Sequence, residues 1–79
     1  MKLTQKQYEV LRHTLTGGSG KEYRNRYCCG PGHDGYDACE QMVSAGLMWK
    51  REPCEVMPEP TFHATLQGVE AYRAANGGA

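Results

Sequence analysis

The sequence predicts a small α+β domain in which helices precede and follow a two-stranded β-hairpin. Apolar residues recur at helical spacing in three segments before residue 46 and in one segment after residue 65. Between them, 47–52 and 61–65 alternate with a period of two and are separated by a proline-containing segment, which is typical of a hairpin with a long tip. A chain of 79 residues has room for one such domain, which we expect to span 1–79, with 1–3 and 76–79 frayed.

The first helix is expected to begin at Thr4. Thr4 followed three residues later by Gln7 is a capping-box pattern, in which each side chain satisfies a free backbone N–H. The glycine-rich segment 17–20 costs too much backbone entropy to continue a helix and ends it. The predicted apolar face of this first helix consists of Leu3, Tyr8, Leu11 and Leu15.

The segment 21–27 has the length of a short second helix. Tyr23 and Tyr27 are four residues apart, so a helix would place them on one inward face. Packing in the core is the favoured role for these tyrosines and for Tyr36, and an interface patch is the alternative. The outward face would then carry the cations Lys21, Arg24 and Arg26.

A third helix is expected from Asp34 or Asp37, either of which can cap it, to about Ala45. Its apolar stripe contains Cys39, Met42 and Val43. Gly46 stands where a left-handed C-terminal cap is needed, and Leu47 is placed to fold back on the helix. This combination is a strong stop signal.

The hairpin and the last helix complete the predicted order. Strand alternation places Trp49 and Arg51 on one face and Lys50 on the other. Trp49 is expected in the core, with an interface patch as the alternative. Thr65 is expected to cap a helix that ends at 76–78, and its apolar residues recur at a spacing of three: Leu66, Val69 and Tyr72.

Two stretches resemble the winged helix-turn-helix family. Residues 42–48 are similar to the end of that family's third helix, and 62–68 to the start of its final helix. The resemblance covers nearly the whole chain and implies three helices, a two-stranded wing and a C-terminal helix. Together with 3–7 and 23–25, these stretches also look like small proteins of temperate bacteriophages. The chain departs from the family at 28–35, where a longer glycine-rich loop replaces a tight turn.

The charge is polarised along a chain whose formal net charge is zero. Residues 1–26 carry six Lys or Arg against two Glu, whereas 27–48 carry three acidic residues and no Lys or Arg. The predicted third helix is therefore acidic, and DNA phosphates would be repelled if it entered the major groove. This pattern favours protein docking over recognition of an operator.

The cysteines and histidines do not form a recognised catalytic or metal-binding pattern. Cys28 and Cys29 are adjacent, whereas Cys39 and Cys54 stand alone, unlike the paired spacing of zinc sites. We expect reduced, buried or half-buried thiols and no metal or other cofactor. None of the three histidines stands in a pattern known to activate a nucleophile, so we do not expect an enzyme.

These observations predict a non-enzymatic binding protein in the cytoplasm of a bacterial host, with no membrane segment or export signal. The phage resemblance implies docking on a host protein or ribonucleoprotein, most concretely as an anti-CRISPR-type inhibitor of an RNA-guided surveillance complex. The alternative is a phage regulator that binds DNA through the basic N-terminal half and the wing. The predicted contact residues are Lys21, Arg24, Arg26, Lys50 and Arg51.

Overall fold

The computed structural model describes residues 3–18, 21–56 and 58–77. Its elements, in chain order, are α1 (Gln5–Thr16), β1 (Tyr27–Cys28), α2 (Tyr36–Ser44), β2 (Met48–Arg51), β3 (Thr61–Ala64) and α3 (Leu66–Gly77). The strands form one antiparallel sheet in the order β1–β3–β2. The α+β class is confirmed. The described residues form three helices where four were expected, and their sheet has three strands where two were expected.

Helix α1 begins and ends where the sequence predicted. The Thr4 hydroxyl accepts from the Gln7 amide at 3.1 Å, and the Gln7 side chain accepts from the Thr4 amide at 3.0 Å, which completes the capping box. The helix ends at Gly17, whose φ of 63° is left-handed. Leu11 and Leu15 are buried as expected, and Val10 and Thr14 are buried beside them. Ser19 and Gly20 lie outside the described residues.

The predicted helix over 21–27 was wrong. The backbone N–H groups of Tyr23 and Arg24 both donate to the carbonyl of Leu15, at 2.9 and 3.2 Å, and that of Arg26 donates to the carbonyl of Thr14 at 3.1 Å. The last carbonyls of a helix have no partner within the helix, so this segment satisfies them. Tyr27 then continues as a strand, and Tyr23, expected to face inward, is 68% exposed.

Helix α2 occupies the predicted place but begins differently. Its N-cap is Gly35, with a φ of 93° and no side-chain cap bond, so the expected caps Asp34 and Asp37 were wrong. Asp34 instead forms an ion pair with Lys6 of α1, which draws its carboxylate away from the helix start.

The predicted stop at the end of α2 is confirmed. Gly46 has a φ of 81°, and the amide of Leu47 donates to the carbonyl of Met42 at 2.8 Å. Leu47 is buried, as expected of an apolar residue that folds back on the helix.

Helix α3 packs closely against the chain that leaves α2. The Thr65 hydroxyl accepts from the amide of Gly68 at 3.1 Å, which confirms the predicted cap, and it donates to the carbonyl of Gly46 at 2.7 Å. A Cβ atom at Gly68 would lie 2.0 Å from the carbonyl oxygen of Leu47. Only a glycine allows this approach. The helix continues through Gly77, and residues 78–79 lie outside the described range.

The core lies between the helices and the inner face of the sheet. Cys29 and Cys39 are buried in it, whereas Cys28 and Cys54 are exposed, contrary to the expectation that all four would be at least half-buried. Burial raises the pKa of the Cys39 thiol to about 12. The buried apolar residues are Val10, Leu11, Leu15, Cys29, Ala38, Cys39, Met42, Leu47, Met48, Phe62, Ala64 and Tyr72.

Candidate binding face

The two faces of the sheet differ in what covers them. Met48, Phe62 and Ala64 are buried under the helices and define the inner face. Side chains alternate along a strand, so their neighbours point the other way. We call this second side the outer sheet face; its residues are Cys28, Trp49, Arg51, Thr61 and His63.

Trp49 lies on the outer sheet face and was wrongly expected in the core. It pairs in register with His63 across β2 and β3, and the two rings stack with centroids 4.3 Å apart and planes 21° apart. Trp49 remains 50% exposed. The Trp49 ring therefore stacks on the His63 ring and is still accessible to solvent.

His63 is held in place by two hydrogen bonds. Its Nδ1 lies 2.7 Å from the carbonyl oxygen of Asn25, and its Nε2 lies 3.3 Å from the hydroxyl of Thr61. A carbonyl oxygen only accepts, so Nδ1 is the donor in the first bond. These contacts fix the ring on which Trp49 rests.

Asn25 extends the sheet beyond the short strand β1. Its side-chain amide donates to the carbonyl of Ala64 at 3.0 Å, and its side-chain oxygen accepts from the Ala64 amide at 2.7 Å. Arg26 follows between Asn25 and Tyr27, whose side chain packs toward the core. Arg26 is exposed, and its backbone lies beside His63, because the carbonyl oxygen of the preceding Asn25 is in contact with Nδ1 of His63.

Arg26 and Arg51 are exposed cations at or beside this face. Among the residues that the structure describes, neither guanidinium forms an ion pair. Lys6 and Arg73, in contrast, are paired with Asp34 and Glu22. An unpaired, exposed cation is available to an anionic partner.

The other predicted contact residues lie elsewhere. Lys50 points to the inner side, where its Nζ donates to the hydroxyl of Tyr36 at 3.2 Å and lies 3.7 Å from Glu40. The hydrogen bond that Lys50 donates to Tyr36 and the charge of Glu40 raise the pKa of Lys50. Arg24 is half-buried and donates to the carbonyl of Arg26, and Lys21 is exposed in the segment before it.

Of the predicted contact residues, Arg26 and Arg51 are the exposed arginines nearest the Trp49 and His63 pair, whereas neither His63 nor Asn25 was predicted from the sequence as a contact residue. The signal for His63 was present, because pairing the two predicted strands sets it opposite Trp49. Asn25 gave no signal, since its partner Ala64 is 39 residues away.

Two clefts lie away from this face. One, of about 170 Å³, lies against α1 and is lined by Lys6, Glu9, Val10, His13 and Tyr27. The hydrogen bond to Asp34 raises the pKa of Lys6, which keeps this amine charged. The other, of about 300 Å³, is lined by Leu3, Thr4, Gln5, Tyr8 and Ala75. Neither lining brings a cysteine or serine beside a base.

Across 3–18, 21–56 and 58–77, no three side chains of His, Cys, Asp or Glu are grouped as metal ligands would be. No helix within those ranges has the length and apolar character needed to cross a bilayer.

Comparison with known proteins adds no relative to this description. No protein-family model matches the chain, and no curated protein or solved structure matches it either.

Proposed function

We propose that this chain is a non-enzymatic binding protein that docks on a macromolecular complex through its outer sheet face. The observation that carries the proposal is the half-exposed Trp49, which stacks on a fixed His63. The exposed Arg26 and Arg51 lie near this pair and form no ion pair within the part of the chain that the structure describes. Tryptophan and arginine dominate the residues that carry binding energy at interfaces. An aromatic ring already held in position loses little entropy when a partner covers it.

The winged-helix assignment is part of this proposal. It is supported by the order of α2, β2, β3 and α3 and by the turn at Gly46 and Leu47. In a DNA-reading member of that family, the helix that corresponds to α2 would enter the major groove. Here α2 contains Asp37 and Glu40 and no Lys or Arg, so phosphates would be repelled. Docking through the sheet is therefore favoured over the DNA-binding regulator.

The chemistry of the clefts also favours binding over catalysis. The cleft beside Lys6 is smaller than the roughly 300–1,000 Å³ typical of small-molecule sites. The second cleft contains no His, Cys, Lys, Asp or Glu. The two clefts therefore favour a protein that acts by binding its partner stoichiometrically over one that acts by catalysis.

The most concrete target is an RNA-guided surveillance complex of a bacterial host, which the resemblance to small phage proteins supports. On this proposal the chain inhibits the complex by occupying it, one copy per site. We expect the purified protein to block target-DNA binding by such a complex at stoichiometric concentration.

The docking proposal is tested by affinity capture from bacterial lysate with four proteins: the wild type, Trp49→Ala, Arg51→Glu and Arg12→Glu. Arg12 is exposed on α1, which covers the opposite side of the sheet, so Arg12→Glu makes the same charge change away from the face. Partners retained by the wild type and Arg12→Glu but lost from the two face variants would support docking. Equal recovery by all four would remove the outer sheet face as the contact.

A further inference from the structure

We infer that the outer sheet face binds a short unpaired segment of nucleic acid, with one nucleobase stacked on Trp49 and neighbouring phosphates bound by Arg26 and Arg51. The inference rests on the proposed function, since it names the chemistry that the same face recognises in its partner.

The first step is the shape of the surface. One side of the Trp49 ring is covered by His63, and the His63 ring is fixed by Asn25 and Thr61. Trp49 itself is 50% exposed, so part of its flat ring is open to solvent. Flat groups stack best on such a ring, and in biological partners these are aromatic side chains, guanidinium groups and nucleobases.

The second step is charge. A partner's guanidinium would meet the like charges of Arg26 and Arg51, which disfavour it. An aromatic side chain would stack but would leave both cations unmatched. A nucleotide supplies a flat base and an anionic phosphate in one unit, so it matches both features of the face.

The third step is the arrangement of the cations around the ring stack. Arg51 lies two residues along β2 from Trp49, roughly 7 Å away on the same face. The backbone of Arg26 lies at the His63 end of the stack, because the preceding Asn25 bonds to His63 and to Ala64. A strand stacked on Trp49 can therefore place phosphates near both guanidinium groups.

The nucleic acid must be unpaired at this point. In a duplex each base stacks on its neighbours and is not available to a side chain of the protein. Single-stranded segments can turn a base outward onto an aromatic ring, and arginine contacts with the backbone complete such sites.

The test uses the wild-type chain, whose single tryptophan reports directly on the face. Titration with a ten-nucleotide oligouridylate or oligothymidylate should give saturable quenching of Trp49 fluorescence. A ten-base-pair duplex should bind at least about tenfold more weakly, because its bases are not free to stack. Tighter binding of the oligouridylate would identify RNA as the ligand. Equal binding of the two oligomers would show that the face recognises the base and phosphate that RNA and DNA share.

Variants separate stacking from charge, with binding measured by the anisotropy of a labelled oligomer. Trp49→Ala should weaken binding about tenfold, the effect of losing one stacked base. Arg51→Glu should weaken it and reduce its dependence on salt concentration, since a phosphate contact is lost. Arg12→Glu should bind like the wild type. Circular dichroism and urea unfolding show that each variant is folded.

A footprint on the wild type gives a readout that does not depend on any variant. Cys28 lies on the outer sheet face and is exposed, whereas Cys54 is exposed in the segment between β2 and β3. The bound oligomer should slow alkylation of Cys28 several-fold and leave Cys54 unchanged. If the oligomer leaves the alkylation rate of Cys28 unchanged, or slows Cys28 and Cys54 by the same factor, it does not lie on the outer sheet face.

Failure of this inference can be told from failure of the proposed function. If neither oligomer quenches Trp49 at millimolar concentration, while a captured protein still requires Trp49 and Arg51, the nucleic-acid inference is overturned and docking stands. If an acidic decapeptide binds and the oligomers do not, the nucleic-acid inference is likewise overturned and docking stands. If Trp49→Ala and Arg51→Glu change neither oligomer binding nor capture, both proposals are overturned.

Discussion

Lys50 and Arg51 are adjacent cations on β2, yet they have opposite surroundings. Lys50 points to the inner side of the sheet, where Tyr36 and Glu40 satisfy its ammonium group. Arg51 points to the outer side and forms no ion pair among the described residues. The alternation of a strand thus gives one cation partners within the fold and leaves the other exposed to solvent.

The same contrast holds for the aromatic residues of the two faces. Phe62 is fully buried on the inner face, in edge contact with Tyr36, whereas Trp49 is half exposed on the outer face. If the inner face supplies stability and the outer face supplies binding, substitutions on the two faces should separate these properties.

The largest expected effect comes from Phe62. We expect Phe62→Ala to lower the free energy of unfolding by about 3–5 kcal/mol, because it leaves a cavity in a closely packed core. Trp49→Ala should cost only about 1 kcal/mol, the value of one aromatic pair. Urea denaturation followed by circular dichroism measures both. Similar losses for the two variants would show that the outer face is also structural.

Gly68 tests how the last helix is held over the inner face. We expect Gly68→Ala to lower the free energy of unfolding by about 3 kcal/mol, because the new Cβ would lie 2.0 Å from the Leu47 carbonyl oxygen and force the backbone apart. The control is Gly30→Ala, whose Cβ would meet only the flexible carboxylate of Glu59 at 3.1 Å. If both variants unfold at the same urea concentration, α3 does not pack this closely on Leu47.

Asn25 links the two faces, and its effect should be intermediate. Asn25→Ala removes both side-chain bonds to the backbone of the buried Ala64, which leaves a donor and an acceptor unpaired. We expect a loss of about 2 kcal/mol and faster hydrogen exchange at the Ala64 amide. Unchanged protection of that amide would contradict the role of Asn25 as an extension of the sheet.

The local signals in the sequence predicted most of the fold. The capping box at Thr4, the left-handed Gly46 and the cap at Thr65 each act within four residues, and all three are confirmed. The segment 21–27 was misassigned because its backbone bonds go to the end of α1 and to β3. Helical spacing of two tyrosines carries no information about such distant partners.

The sequence alone does not separate exposed cations from those that have partners within the fold. Among the predicted contact residues, Arg26 and Arg51 are exposed, whereas Arg24 and Lys50 have partners within the fold. For Trp49 the sequence favoured the core and left an interface patch as the alternative. Its exposure follows from its pairing with His63, a contact that depends on the register of two strands joined by a long segment.

The smallest expected effect concerns the buried thiol of Cys39. Burial raises its pKa to about 12, above the ordinary thiol value of 9.0. The folded chain therefore holds this proton where the unfolded chain releases it, so the stabilisation is full below about pH 9 and is lost as pH rises toward 12. Cys29, Tyr27 and Tyr72, whose pKa values are also raised by burial, act in the same direction.

Comparing the wild type with Cys39→Ala isolates the contribution of this thiol. Between pH 8 and pH 10 the wild type should lose about 1 kcal/mol more of its free energy of unfolding than the variant does. The cavity makes the variant less stable at every pH, so the two proteins are compared by how steeply the free energy of unfolding falls with pH. Cys29, Tyr27 and Tyr72 titrate in both proteins and therefore do not contribute to the difference. Urea unfolding at pH 8, 9 and 10, with reductant present, gives the two slopes. Parallel slopes would mean that Cys39 is reached by water in the folded chain, and the core between α2 and the inner face would then be more open than the structure shows.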